Sequence, residues 1–504
     1  CAASMARVPW RDAAARTPST HPVAGSPAPD AQAALQNFDG IAYATGSVTL
    51  RQLIAHIGDA AFIEGVGDHL RTHAYGNAAL ADFIGAMERA SGEDLHAWVD
   101  AWLRTAGLDA VSVETTTNAG LITSARLRRV PPAAYPADRP HTLDVAGFSG
   151  GAEVFRVVTR VDRDETALPE LEGKSAASMV IPNAADLTWA NIKLDLGTLA
   201  AAPTELSLVP EAQARAVVWT ALMDGVALAE IDPRHMLAVL ATSWAGESSP
   251  SIINRVGFEM SQRIIPQFIL ESEHKGAYAV MAEAAGSMLA QSEPGSSRAL
   301  VAARYVARTS ADEDLLRRWA SGEALPDGLR EDSDFRWVVL GNLARRGAIG
   351  SAEIDAALER DHTMQGSLRA LQAKASAPDP AAKVWAWEEL TGEHGRSNHE
   401  LNALATGFWH ATNLDVVRPY VRHYFRDVPK LSGRVGEDAL AQVAALAYPS
   451  RVVESFTAEQ SAVALQHSDL TPSVRRVIVD ADSQLREALA SRIAFGVTGT
   501  AYQQ

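Results

Sequence analysis

Apolar residues recur at helical spacing from Ser47 onward. Leu80, Phe83, Ile84 and Met87 stand at i, i+3, i+4 and i+7, and Leu95, Trp98, Val99 and Trp102 repeat the set, so each quartet is expected to line one buried helix face. Ser91-Gly92 separates the two helices, and Gly107 is placed to cap the second. Over residues 109–202 the period shortens to two: Leu121, Thr123, Ala125 and Leu127 alternate with neighbours of other polarity, and Val154 to Val161 is β-branched and two-faced, which predicts half-buried strands of a small β-sandwich. Pro131-Pro132, Gly147 to Gly151 and Pro182-Asn183 punctuate these runs as turns. Over residues 203–504 the helical period returns, in segments such as Ala212 to Leu228, Arg298 to Val306, Phe335 to Arg345, Leu401 to Thr412 and Val474 to Phe495. Short links between amphipathic helices imply antiparallel packing, and a long succession of them favours an α-solenoid over one compact bundle. No strict repeat period marks these segments.

Composition bounds the class. At 504 residues and 47% apolar, the chain has the material for several cores. The formal charge of −16 has both signs spread along the sequence, which excludes the clustered Lys and Arg of a nucleic-acid surface. Cys1 is the single cysteine, so neither an internal disulfide nor a cysteine cage for zinc is available, as suits a reducing compartment such as the cytoplasm. No apolar run is long enough to span a bilayer, and no membrane partner is expected. Cys1-Ala2-Ala3-Ser4 spells the lipid-modified start of a mature bacterial lipoprotein; a sequence cut from within a longer protein is the reading favoured here. Residues 1 to about 46, with Pro22, Pro27 and Pro29, read as irregular chain.

The segment Phe38-Asp39-Gly40-Ile41-Ala42-Tyr43-Ala44-Thr45-Gly46-Ser47, followed by helices ending in Trp98-Val99-Asp100-Ala101-Trp102-Leu103-Arg104-Thr105-Ala106-Gly107, resembles the aminopeptidase N-type zinc exopeptidases, the gluzincin aminopeptidases. Thr20-His21-Pro22-Val23, His73 to Ala78, and the strand-turn-strand run Val180 to Asp195 extend the resemblance over roughly residues 20–200. It implies a mainly α chain with a β-sandwich: the C-terminal helical part of a thermolysin-like catalytic domain (1–108), the sandwich (109–202), and a HEAT/armadillo-like solenoid (203–504). It also implies a catalytic role for Tyr43, whose family counterpart in a Tyr-x-Lys-Gly-Ala motif hydrogen-bonds the oxyanion formed at the peptide carbonyl. The sequence departs from that motif at Thr45 and Ser47.

The family's zinc set is His-Glu-x-x-His on a helix plus a second Glu, and it is absent. The single His-Glu dipeptide is His399-Glu400, with the next histidine at His410. Gly85-Ala86-Met87-Glu88-Arg89 mimics the family's Gly-x-Met-x-Asn loop but lies after Tyr43 and ends in Arg. His69 and His73, at i and i+4, lack an adjoining Glu and read as structural. Gly147-Phe148-Ser149-Gly150-Gly151 has the spelling of a serine-hydrolase elbow but precedes a strand pattern, so a hairpin turn is expected. Nucleotide-binding signatures are missing, and Glu388-Glu389 reads as a solvated helix face.

The resemblance therefore implies the C-terminal portion of a zinc aminopeptidase acting on peptides with a free N-terminus. Zinc belongs to the complete family enzyme and none is expected on this chain alone, which would need the missing N-terminal catalytic half as partner. Without that half, the part before about residue 108 is expected to be the least stable and to expose apolar helix faces that Trp98 and Trp102 were meant to bury. The alternative is a non-catalytic solenoid protein that binds peptides or partner proteins.

Overall fold

A computed structural model describes residues 16–24, 41, 45–330 and 332–496. They form two compact units that divide between Gly225 and Val226. The chain is mainly helical with two small sheets, and no helix among the described residues is long and apolar enough to cross a membrane.

The first unit opens with α1 (Gly46–Ile57), α2 (Asp59–Thr72), α3 (Leu80–Ser91) and α4 (His96–Leu103). Gly92 ends α3 in the left-handed conformation, its N–H on the Glu88 carbonyl, as Ser91-Gly92 led one to expect. Gly107 is no cap: α4 stops at Leu103, and Gly107, also left-handed, turns the chain four residues later into the first strand. The Leu95, Trp98, Val99 and Trp102 face is wholly buried, Trp98 stacking on Trp102 and both sharing a core with Trp189. The strand segment covers this face: Trp102 Nε1 donates to the Pro140 carbonyl and its ring meets His141 edge-on. Bare apolar surface sits instead on α2, where Ile63 is 70% and Leu70 is 65% exposed. Leu80, at the first turn of α3, is 40% exposed.

Strands β1 (Ala110–Asn118), β2 (Leu121–Val130), β3 (His141–Ser149), β4 (Ala152–Val161), β5 (Glu165–Ala167), β6 (Met179–Pro182) and β7 (Asn191–Lys193) form a four-stranded sheet, β5-β2-β1-β7, and a three-stranded sheet, β4-β3-β6. Pairing is antiparallel except between β1 and β7. A bulge sets Thr116 opposite Ser124 and Thr117 opposite Ile122, leaving Thr123 extra. The extra residue shifts the inward phase, so Ile122 is buried with Ala125 and Leu127 while Leu121 is 46% exposed. Gly150 and Gly151, both at positive φ, join β3 to β4 as a two-residue hairpin loop, the turn class that two left-handed residues build. The serine-elbow spelling is therefore a hairpin.

In the second unit the helices Ser297–Thr309, Ser333–Arg345, Met364–Ser376, Asn398–Phe408, Glu437–Ala447 and Pro472–Phe495 pack in succession, each on the next, with shorter helices between them. The segments Arg298–Val306, Phe335–Arg345 and Val474–Phe495 fall within these bounds, Leu401–Thr412 overruns its helix by four residues, and Ala212–Leu228 corresponds to the helix Ala212–Ala227. The last helix returns to the start of the unit: Arg492 donates to the carbonyls of Gln267 and Ile269, and Arg263 pairs with Glu487. The stretch Met260–Phe268 is a π-helix with Pro266 inside it.

Candidate functional site

Tyr43 lies outside the described residues. Of the described residues nearest to it in sequence, Ile41 is buried, and Thr45, where the family motif carries Lys, is fully buried with its hydroxyl unpartnered. From Gly46 the chain enters α1, and Thr49 Oγ1 donates to the Thr45 carbonyl. Gln52, one turn further, is buried; in the amide orientation that satisfies it, it bonds Thr188 Oγ1 at 2.7 Å and the Thr142 backbone, tying α1 to the strands.

Thr188 continues into a buried polar chain. His141 Nδ1 lies 2.7 Å from Thr188 Oγ1, and His141 Nε2 lies 3.1 Å from Asp109, which also takes Arg139 at 2.6 Å and stands 3.6 Å from Arg129. Hydroxyl, imidazole and carboxylate stand in the order of a hydrolase triad. All three are sealed from solvent, and burial holds the His141 imidazole below its ordinary pKa. With no access for a substrate, the chain joins helices to sheets.

The residues present do not fit the zinc set of the gluzincins. Glu88, Asp94 and His96 form the one group of three potential ligands among the described residues. It sits in a surface turn where Asp94 already accepts from the His96 backbone N–H, and its hydrogen bond with the His96 ring raises that imidazole's pKa. The rings of His69 and His73 stand 5.1 Å apart, but His69 packs edge-on against Phe83 at 5.5 Å, as a structural pair would. Glu400 closes the capping box of helix Asn398–Phe408 with Ser397, and His410 comes after that helix ends.

A concavity whose lining residues no local spacing announced lies in the second unit. A chamber of about 140 Å³ and a larger one of about 520 Å³ share Tyr278, Arg345 and Arg451 in their walls. The smaller is lined by Arg308, Arg345, Arg369, Arg451 and His410, with no carboxylate among its lining residues. Arg345 is positioned by Asn342, whose Oδ1 accepts from its Nε at 3.1 Å while the Asn342 amide donates to the Ala307 and Ser310 carbonyls. Tyr278 donates to the Ser261 carbonyl, and the Arg345 guanidinium lies 5.5 Å from the centre of its ring. Burial pushes Arg345 down to about 10 and lowers Arg451; it also holds His410 well below its usual range, helped by Arg451 and Arg345. These side chains come from segments spread between residues 261 and 451, so no local spacing could have announced them.

Sequence comparison agrees with this architecture. Residues 4–102 match the peptidase family M1 domain and residues 179–487 the ERAP1-like C-terminal domain. The chain is 31% identical over 500 residues to aminopeptidase N of Streptomyces lividans, covering 96% of this chain and 58% of that protein. It is 37% identical over 83 residues to aminopeptidase 2 of Candida albicans (16% and 9% covered) and 33% identical over 100 residues to tricorn protease-interacting factor F2 of Thermoplasma volcanium (20% and 13%). The chain thus spans a little over half the length of its Streptomyces relative and much less of the other two. With one family domain matched near its beginning, another along most of the remainder, and a relative aligned almost throughout, the chain belongs to the M1 aminopeptidase family.

Proposed function

We propose that the chain acts as the C-terminal portion of a zinc aminopeptidase that removes N-terminal amino acids from peptides. In this reading residues 1–108 are the helical end of a thermolysin-like domain, 109–202 a sandwich spacer, and 203–504 an α-solenoid that shapes the peptide chamber. Tyr43 donates a hydrogen bond to the tetrahedral oxyanion: a phenol is neutral at working pH and long enough to reach across a cleft. The zinc ligands come from a partner stretch carrying His-Glu-x-x-His, and the assembled enzyme works in the cytoplasm.

The observation that carries this reading is the 31% identity to the Streptomyces aminopeptidase along 96% of the chain. The succession of packed helices after Val226 supports the solenoid, and the exposed Ile63 and Leu70 on α2 leave apolar surface for the rest of a catalytic domain to cover. The test is zinc content and hydrolysis of aminoacyl p-nitroanilides, for the chain alone and with a polypeptide bearing the zinc helices. Turnover is expected in the combination alone. One tightly held zinc with chelator-sensitive turnover in the isolated chain would overturn the reading.

A further inference from the structure

Two histidines of the first unit stand side by side with their ring nitrogens unused. His69 lies in the last turn of α2 and His73 caps that helix, its N–H closing the turn on the His69 carbonyl at 3.1 Å, so the two side chains leave one face of the helix a single turn apart. Their ring centres are 5.1 Å apart. Among the described residues neither ring takes part in a hydrogen bond or an ion pair, and His69 Nδ1 is shut from water without a partner. The edge-on contact with Phe83 that packs the His69 ring also fixes its direction. Both residues are half-buried, and the Arg71 guanidinium lies back beside Gly67, on another face of the helix.

We propose that His69 and His73 form a chelating site for one divalent transition-metal ion, copper(II) first and zinc or nickel after it. An imidazole nitrogen binds such ions at about 2.0 to 2.1 Å. With each ring centre about 1.1 Å behind its nitrogen, and the two bonds meeting between a right angle and the tetrahedral angle, the ring centres of a chelating pair fall about 4.5 to 5.2 Å apart. The 5.1 Å observed lies in that range. The helix end adds to this, because the C-terminal carbonyls of the 14-residue α2 carry partial negative charge that favours a cation. Two neutral imidazoles without a carboxylate suit copper, nickel and zinc and are poor ligands for calcium or magnesium. Among the described residues the one three-ligand group is Glu88, Asp94 and His96, so the pair has no third side chain and leaves the ion's other positions to water. Such an ion is labile and lacks the general-base Glu of a catalytic zinc. The site does not rest on the aminopeptidase reading.

The test is calorimetric titration of the metal-free 504-residue chain with the chlorides of copper(II), zinc and calcium. Cys1→Ser is carried throughout, since a thiolate would itself bind copper and zinc. One copper ion per chain is expected, at a site that zinc fills more weakly and calcium does not fill. His69→Gln and His73→Gln should each weaken copper binding roughly tenfold or more, and the double variant little more than either, because chelation needs both rings; His96→Gln should change nothing. Unchanged affinity in either single variant, a loss in His96→Gln instead, equal binding of calcium, or no binding at all would overturn the proposal. Should a variant fail to fold, carbethoxylation of the unaltered histidines by diethyl pyrocarbonate, mapped by mass spectrometry, decides. Zinc should slow modification of His69 and His73 and leave His96 as reactive as before, and an unprotected pair would overturn the site. None of these readouts involves turnover or the zinc helices, so this site and the aminopeptidase reading can fail separately.

Discussion

Lys383 is fully buried in the second unit and offers a sharp test of the packing described for it. It rises from the helix Pro380–Thr391, and its Nζ donates to the Ala375 carbonyl at 2.5 Å and the Phe408 carbonyl at 2.6 Å, the ends of two neighbouring helices. The ammonium also lies 5.1 Å from the centre of the Phe408 ring, and no carboxylate among the described residues pairs with it. Burial pulls its pKa from 10.5 down to about 7. The unfolded chain therefore holds this proton up to about pH 10.4 while the native state releases it near 7, so stability rises with pH across that window. Below pH 7 both states are charged and the cost of the buried charge is borne in full. Each pH unit inside the window is worth about 1.4 kcal/mol for one proton, which puts the gain between pH 7 and pH 9 at roughly 2 to 3 kcal/mol. Lys383→Met has nothing to titrate at this position. Urea unfolding followed by far-ultraviolet circular dichroism at pH 6, 7, 8 and 9 should thus show the unaltered chain gaining on the variant by about that amount above pH 7 and by nothing below it. Parallel profiles from pH 6 to 9 would mean that the two carbonyls keep Lys383 charged throughout.

Two further substitutions probe close packing and buried charge. At Gly257 an added Cβ would stand 2.3 Å from the Tyr305 ring, so Gly257→Ala should lower stability by roughly 3 kcal/mol in urea melts; a loss under 1 kcal/mol would mean the ring moves aside freely. Asp109→Asn keeps the shape but leaves Arg139 buried without its charge partner, with an expected cost of about 3 to 5 kcal/mol at pH 7; an unchanged melting curve would deny the Asp109 cluster its role in joining helices to sheets.

The sequence made the helices legible because their buried faces repeat at 3.6 residues: the segments around Arg298, Phe335, Leu401 and Val474 each lie in a helix, and within Gly147 to Gly151 the turn is made by Gly150 and Gly151, while Gly147 to Ser149 belong to β3. What failed was local. Alternation in β2 lost its phase at Thr123 because a bulge depends on the partner strand, which a single stretch of sequence does not show. Gly107 is left-handed but serves the entry to β1, and Trp98 and Trp102 are covered by segments distant in sequence. The arginine cavity was illegible for the same reason: Tyr278, Arg345 and Arg451 become neighbours only once the helices stack. Tyr43, the one site residue the sequence nominated, lies outside the described residues, so its role rests on resemblance and family membership.

Tyr43 is accordingly where the account is tested most directly. The chain is combined with a polypeptide carrying the His-Glu-x-x-His helices, and steady-state kinetics on an aminoacyl substrate are compared for Tyr43 and Tyr43→Phe. A hydrogen bond made mainly to the oxyanion predicts a turnover number lower by on the order of a hundredfold, equivalent to roughly 3 kcal/mol, with KM and zinc content nearly unchanged. A Phe variant that turns over as fast as the unaltered protein would contradict the account and leave Tyr43 as a packing residue at the entrance to α1.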